Sequence, residues 1–117
     1  MLPAKHRILK QYEFDQIYRH HNKLRGNYLQ ILVRFVDKEQ KVDHKKYPRF
    51  GFVVSKKVHK HAVKRNKIKR QLREIIKELL PTLPQSFEAL VIPYPKALET
   101  SFQELKDDVT KLLSTVN

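Results

Sequence analysis

The sequence predicts an α+β single domain, with helices packed on a small sheet in the order α-β-β-α-β-α. Three observations carry that expectation. The chain has 117 residues, 40% of them apolar, with no repeat, low-complexity tract or linker to divide it, which is the usual size of one domain around one core. Three short runs are rich in β-branched and aromatic residues. Three other stretches repeat their apolar residues at helical spacing.

In order, Tyr12, Phe14, Ile17 and Tyr18 give a first helix from about Gln11 to His20. Asn27–Val36 (Asn-Tyr-Leu-Gln-Ile-Leu-Val-Arg-Phe-Val) reads as a strand, and Asp37–Pro48, charged and closed by proline, as a surface loop. Arg49–Ser55 (Arg-Phe-Gly-Phe-Val-Val-Ser) reads as a second strand, antiparallel to the first. The two glycines, Gly26 and Gly51, lie near the starts of these two runs. A long helix from Ala62 to Leu80 follows, stopped by Pro81. Its apolar stripe is Ile68, Leu72, Ile75, Ile76 and Leu79. Asn66, Lys69, Arg70, Arg73 and Lys77 fall on the opposite side, with Arg65 on the flank. Phe87–Pro93 (Phe-Glu-Ala-Leu-Val-Ile-Pro) reads as an apolar run, broken only by Glu88, and fits a buried strand. Ser101 and Glu104 have capping-box spacing, starting a last helix that buries Phe102, Leu105, Val109, Leu112 and Leu113.

Charge narrows the function. Twenty-five Lys and Arg against 12 Asp and Glu leave +13, and no carboxylate occurs between Ser55 and Arg73. Lys56, Lys57, Lys60, Lys64, Arg65, Lys67, Lys69, Arg70 and Arg73 therefore repel one another, and a phosphate backbone is the partner that relieves this. Arginine offers a bidentate fork to phosphate, and Asn66 can bond phosphate, sugar or base.

The same residues count against a self-contained catalyst. The absence of cysteine removes disulfides, thiol chemistry and thiolate-bound zinc. No serine sits in a nucleophile elbow, and neither glycine lies in a phosphate-cradling loop. Asp107 and Asp108 diverge by about 100° on a helix and read as solvated charge rather than a metal pair. His20–His21 and His59–Lys60–His61 read as exposed histidines, since their cationic surroundings repel a metal ion. No run approaches a membrane span, and Met1–Lys5 has no apolar signal core, so a soluble cytoplasmic protein is expected.

Phe14 and Tyr18, four residues apart, share a helix face. They could pack into the core or form a stacking platform for unpaired bases, and Tyr28 at the head of the first strand is equally open. A structural nucleic-acid-binding protein and a nuclease acting alone are the competing functions at this level.

Gly51-Phe-Val-Val-Ser-Lys-Lys57, followed by Ala62-Val-Lys-Arg-Asn-Lys-Ile-Lys-Arg-Gln-Leu-Arg-Glu74, resembles the bacterial ribonuclease P protein subunit. That family joins a strand ending in Ser-Lys-Lys to a helix patterned Arg-Asn-Arg-x-x-Lys-Arg-x-x-Arg. Lys67 replaces the third residue, keeping charge but losing a fork. His59 stands where many members carry glycine. Phe14-Asp-Gln-Ile-Tyr18 also looks like the family's first helix. The resemblance implies a ribosomal protein S5 domain 2-like sandwich with a left-handed βαβ crossover, against the general right-handed rule. It further implies a catalytic RNA that uses magnesium to remove the 5′ leader of precursor tRNA, with this chain as its protein subunit and no obligate protein partner. Phe14, Tyr18, Tyr28, Ser55, Lys56, Lys57 and Lys60 would then face the leader. Lys64, Arg65, Asn66, Lys67, Lys69, Arg70 and Arg73 would contact the catalytic RNA and help position its metal. No catalytic residue or bound cofactor is implied for the chain itself.

Overall fold

Two apolar runs make the centre of the molecule. A computed structural model describes residues 6–8, 10–35, 48–83 and 87–115, and within it seven elements follow in order. They are α1 (Gln11–Arg19), β1 (Asn22–Arg25), β2 (Leu29–Phe35), β3 (Arg49–Phe52), α2 (Ala62–Leu79), β4 (Phe87–Pro93) and α3 (Phe102–Ser114), with short 3₁₀ turns at Leu80–Thr82 and Pro95–Glu99. The expected α+β class holds, with one added element. Asn22–Arg25 is a strand that period and propensity miss, because its four residues are mostly polar and exposed. Val36 and residues 37–47 of the expected strand and loop lie outside the described residues.

The sheet runs β1-β2-β4-β3. β2 and β3 are therefore not neighbours, although they run antiparallel to each other as expected. Each pairs instead with β4, β2 antiparallel and β3 parallel. β4 is buried at six of its seven positions, and a strand apolar on both faces belongs in a sheet interior. The β3–α2–β4 connection is the parallel crossover to which the implied left-handed turn applies. Val53 N–H donates to the Val91 carbonyl at 3.0 Å, so the ladder runs one residue past β3 before the chain turns away.

Alternation gives the sheet two unequal faces. On one, Leu29, Ile31, Val33, Phe87, Ala89, Val91 and Phe50 pack against α2 and α3. Phe50 and Phe87 meet edge-on with centroids 5.6 Å apart. Ile68, Leu72, Ile75 and Ile76 of α2 are fully buried here, each stabilising by about 1.5–3 kcal/mol before entropy is charged. The other face is smaller: Leu32 and Leu90 with Ile8 and Ile17, flanked by Phe14, Val53 and Ile92. Helix α1 covers only part of it.

Two acids at α3 behave differently from expectation. Asp108 is buried, not solvated. Its two oxygens accept the backbone N–H groups of Asn27 (3.1 Å) and Tyr28 (2.9 Å), closing the β1–β2 turn. Gly26 is required beside it, since a Cβ there would lie 2.5 Å from Asp108 Oδ2. Phe102, expected inside, is 38% exposed; it opens α3, whose burial begins at Leu105. The capping box holds: the Glu104 N–H donates to Ser101 Oγ at 3.1 Å.

Glu104 in turn accepts from the Tyr28 hydroxyl (2.8 Å) and from Thr100 (2.9 Å). These bonds, Tyr28 first, hold its carboxyl below the ordinary 4.5. A carboxyl depressed on folding stabilises above its unfolded value and loses that contribution as pH falls through the folded one. Thermal melts of the wild type and Glu104→Gln should therefore differ at pH 7 and converge as pH falls below 4.5 and through the depressed folded value; a gap that persists in strong acid would mean the carboxylate charge is irrelevant.

Candidate nucleic-acid interface

The cationic face expected on α2 is assembled as one surface. Asn66, Lys67 and Arg70 are exposed, while Arg65, Lys69 and Arg73 are half-buried along its flanks. The first turn contains no acidic residue, so the positive end of the helix dipole adds to the side-chain charge. Asn66, Lys69, Arg70, Arg73 and Glu74 line a groove of about 400 Å³. Arg73 lies over the Phe52 ring, 5.9 Å from its centroid, which fixes the guanidinium by cation–π contact. The Nε atoms of Arg65 and Arg73 are buried and find no hydrogen-bond partner among the described residues. A buried donor left unmade is costly, and Arg73, which lines the groove, carries one of the two.

A second surface lies on the opposite face, beside α1. Phe14 is half-buried with its ring on Gly51: a Cβ there would stand 2.8 Å from Phe14 Cε1 and 2.8 Å from Leu90 Cδ2. The glycine thus makes room for an aromatic ring against the sheet. Tyr18 is 45% exposed, and partial burial raises its phenol above 10.0, so it stays protonated and can donate. Next to this pair α1 leaves the sheet open. The half-buried side chains of Gln30, Ile92 and Val53 form a floor. Cross-strand register places Arg25 beside Gln30 and Lys23 beside Leu32, so the β1 edge lends two cations to the rim. Sequence reasoning missed these five residues; the alternation of β2 and β4 carries the signal for the floor, but β1 had to be recognised first.

The turn between β3 and α2 leads from the β3 edge of the sheet to the cationic helix. Val58 is buried and anchors it. Its N–H donates to the Ser55 carbonyl (3.0 Å), and Ser55 Oγ accepts the Lys57 N–H (3.3 Å). Ser55, Lys56, Lys57 and Lys60 stand exposed on it, followed by Lys64 in the first turn of α2. Tyr28 is not brought to the α1 surface. It packs against the larger core, with its hydroxyl on Glu104 and Lys96 6.0 Å from its ring centroid.

The histidines take local roles. His21 Nδ1 donates to the last carbonyls of α1, Ile17 at 2.9 Å and Tyr18 at 3.1 Å. His59 is half-buried rather than exposed, and Nδ1 accepts the His61 N–H at 3.0 Å. Desolvation first, then the charges of His61, Lys64, Lys60 and Arg65, hold its pKa below 6.5. It is neutral at pH 7, as an acceptor must be. Among the described residues no three His, Asp or Glu side chains gather as a metal site would require, and the α2 face is built of groups that repel a divalent cation. No helix among them is long and apolar enough to cross a membrane.

Comparison with known proteins agrees with this geometry. The family model Ribonuclease P matches residues 2–117. The ribonuclease P protein component of a Pseudanabaena species is 37% identical over 97% of this chain and 93% of its own length. That of Microcystis aeruginosa is 32% identical over 99% and 94%. The solved RNase P protein of Thermotoga maritima superposes with a TM-score of 0.80 at 28% identity, covering 95% of this chain and 97% of that one. That of Staphylococcus aureus gives 0.78 at 26%, covering 96% and 98%. With a four-stranded mixed sheet, three helices and sequence similarity along nearly its whole length, the chain belongs to the bacterial ribonuclease P protein component family.

Proposed function

We propose that this subunit of an endoribonuclease uses its two surfaces for two different RNAs. The α2 face, with the adjoining Lys64, binds the catalytic RNA. The cleft beside α1 binds the single-stranded 5′ leader of precursor tRNA, with Phe14 and Tyr18 stacking on bases. Lys56, Lys57 and Lys60 on the turn, with Lys23 and Arg25 on the opposite rim, flank the leader's phosphates. Hydrolysis belongs to the RNA partner, where magnesium supplies the charge stabilisation of the cut phosphate. This chain contributes binding: its cations offset repulsion between two polyanions. The observation that carries the reading is the division itself, one cationic helix face and one aromatic cleft on opposite sides of a sheet.

The test reconstitutes the protein with catalytic RNA and compares precursor with mature tRNA. Tyr18→Ala and Phe14→Ala should each weaken precursor binding by roughly 5- to 50-fold, the scale of one lost base–aromatic stack. Mature tRNA, which lacks the leader, should bind as before. Equal losses for both tRNAs would remove the leader cleft. Cleavage by the protein without the RNA would return the active site to this chain.

A further inference from the structure

Helix α1 carries the aromatic pair, yet little apolar surface holds it. Ile17 is its one fully buried apolar side chain, and its other buried residue is an acid, Glu13, 2% exposed. Beneath it Arg49, 6% exposed, reaches in several directions. Its Nη1 donates to Glu13 Oε2 and to Glu88 Oε2, the latter at 3.2 Å. Its Nη2 donates to the Arg7 carbonyl at 3.0 Å. Glu88 accepts Arg34 Nη1 on its other oxygen at 2.7 Å. A strap of alternating charge, Glu13–Arg49–Glu88–Arg34, thus crosses from α1 through β3 and β4 to β2.

We infer that Glu13 and Arg49 are positioning residues for the leader cleft, an inference that rests on the function proposed above. Apolar contact has no direction, so Ile17 and the Phe14 ring would let α1 roll on the sheet. A guanidinium whose Nη1 serves two carboxylates while its Nη2 holds the Arg7 carbonyl allows only a narrow range of geometries. Phe14 follows Glu13 by one residue and Tyr18 follows Ile17 by one, so both aromatics sit about 100° round the helix from the anchoring pair. A roll of roughly 20° would move a ring by about 2 Å at the helix surface, enough to break a stack. Buried as they are, Glu13 and Arg49 touch no RNA; they act through Phe14 and Tyr18. A buried ion pair is a weak source of stability but can select one arrangement, and here that arrangement presents the aromatic face to the open floor.

The experiment uses the full-length protein assembled with catalytic RNA. Glu13→Ala removes the α1 end of the strap, leaves Arg49 paired with Glu88, and keeps a good helix former. Preference for precursor over mature tRNA should fall roughly 5- to 10-fold, approaching the loss of one stack, with affinity for the catalytic RNA unchanged. Glu13→Gln, whose carbonyl still accepts from Arg49, should recover most of the preference. Arg49→Lys is the second variant: a single ammonium has no second nitrogen to hold the Arg7 carbonyl while it serves the two carboxylates, so preference should fall there too. A merely stabilising role would lower both RNA affinities together and show no rescue by Gln. Full precursor preference in folded Glu13→Ala and Arg49→Lys overturns the inference. Tyr18→Ala, measured alongside, separates the two failures. If it too keeps full preference, the leader reading itself falls; if it alone loses preference, only the strap does.

Discussion

Arg70→Ala should weaken assembly with the catalytic RNA by roughly 10- to 100-fold at low salt, the cost of a lost charge-assisted hydrogen-bonding pair. It should also flatten the dependence of log affinity on log salt by about one unit, because one fewer counterion is released. Arg70 is exposed on α2, so its truncation should leave stability within about 0.5 kcal/mol of the wild type. Arg70→Lys separates charge from geometry: the salt slope should stay, while affinity falls by the part due to the fork. Arg65→Ala should repeat the loss, and its buried Nε, without a hydrogen-bond partner among the described residues, makes it the more sensitive site. A salt titration on the four proteins reads all of this. Parallel lines of equal height would mean that the RNA lies elsewhere.

Asp108→Ala should destabilise the fold by about 2–4 kcal/mol, because it strands two backbone N–H groups. For a chain of this size that lowers the melting temperature by roughly 8–15 °C. Asp108→Asn keeps one acceptor oxygen and should cost about half as much. Gly26→Ala attacks the same turn from the other side: its Cβ would meet a carboxylate already held by the Asn27 and Tyr28 amides. Asp107→Ala, one residue away and bonded among the described residues to Gln103 along the helix surface, is the control and should change stability by about 0.5 kcal/mol or less. Equal melts for the two aspartates would show that the turn draws nothing from Asp108.

Local pattern was enough for α2, β4 and α3, whose periodicity and caps are written in consecutive residues. It was enough for the cationic face as well, since a missing carboxylate is visible in the sequence. Pairing of strands was not. β2 and β3 are neighbours in the chain but are separated in the sheet by β4, whose arrival depends on how α2 packs. β1 escaped because an edge strand of four residues with a single apolar one, Leu24, has no apolar alternation to detect. Glu13, Arg49 and Glu88 are scattered along the chain, and each alone looks like ordinary surface charge. The neighbouring Asp107 and Asp108 look alike in sequence, yet helix geometry sends one to solvent and the other beneath the Gly26 turn.

One sheet separates α1 from α2. Two packing layers of about 10 Å put the helices roughly 20 Å apart. The Debye length at physiological salt is about 8 Å, so strands held on the two outer surfaces would be screened from each other by more than two such lengths. With the leader and the catalytic RNA bound as proposed, each would see the protein's positive charge at contact distance and its fellow polyanion only through that screen. The sheet then works as a spacer that lets one small body attract two like-charged chains without the presence of either weakening its hold on the other.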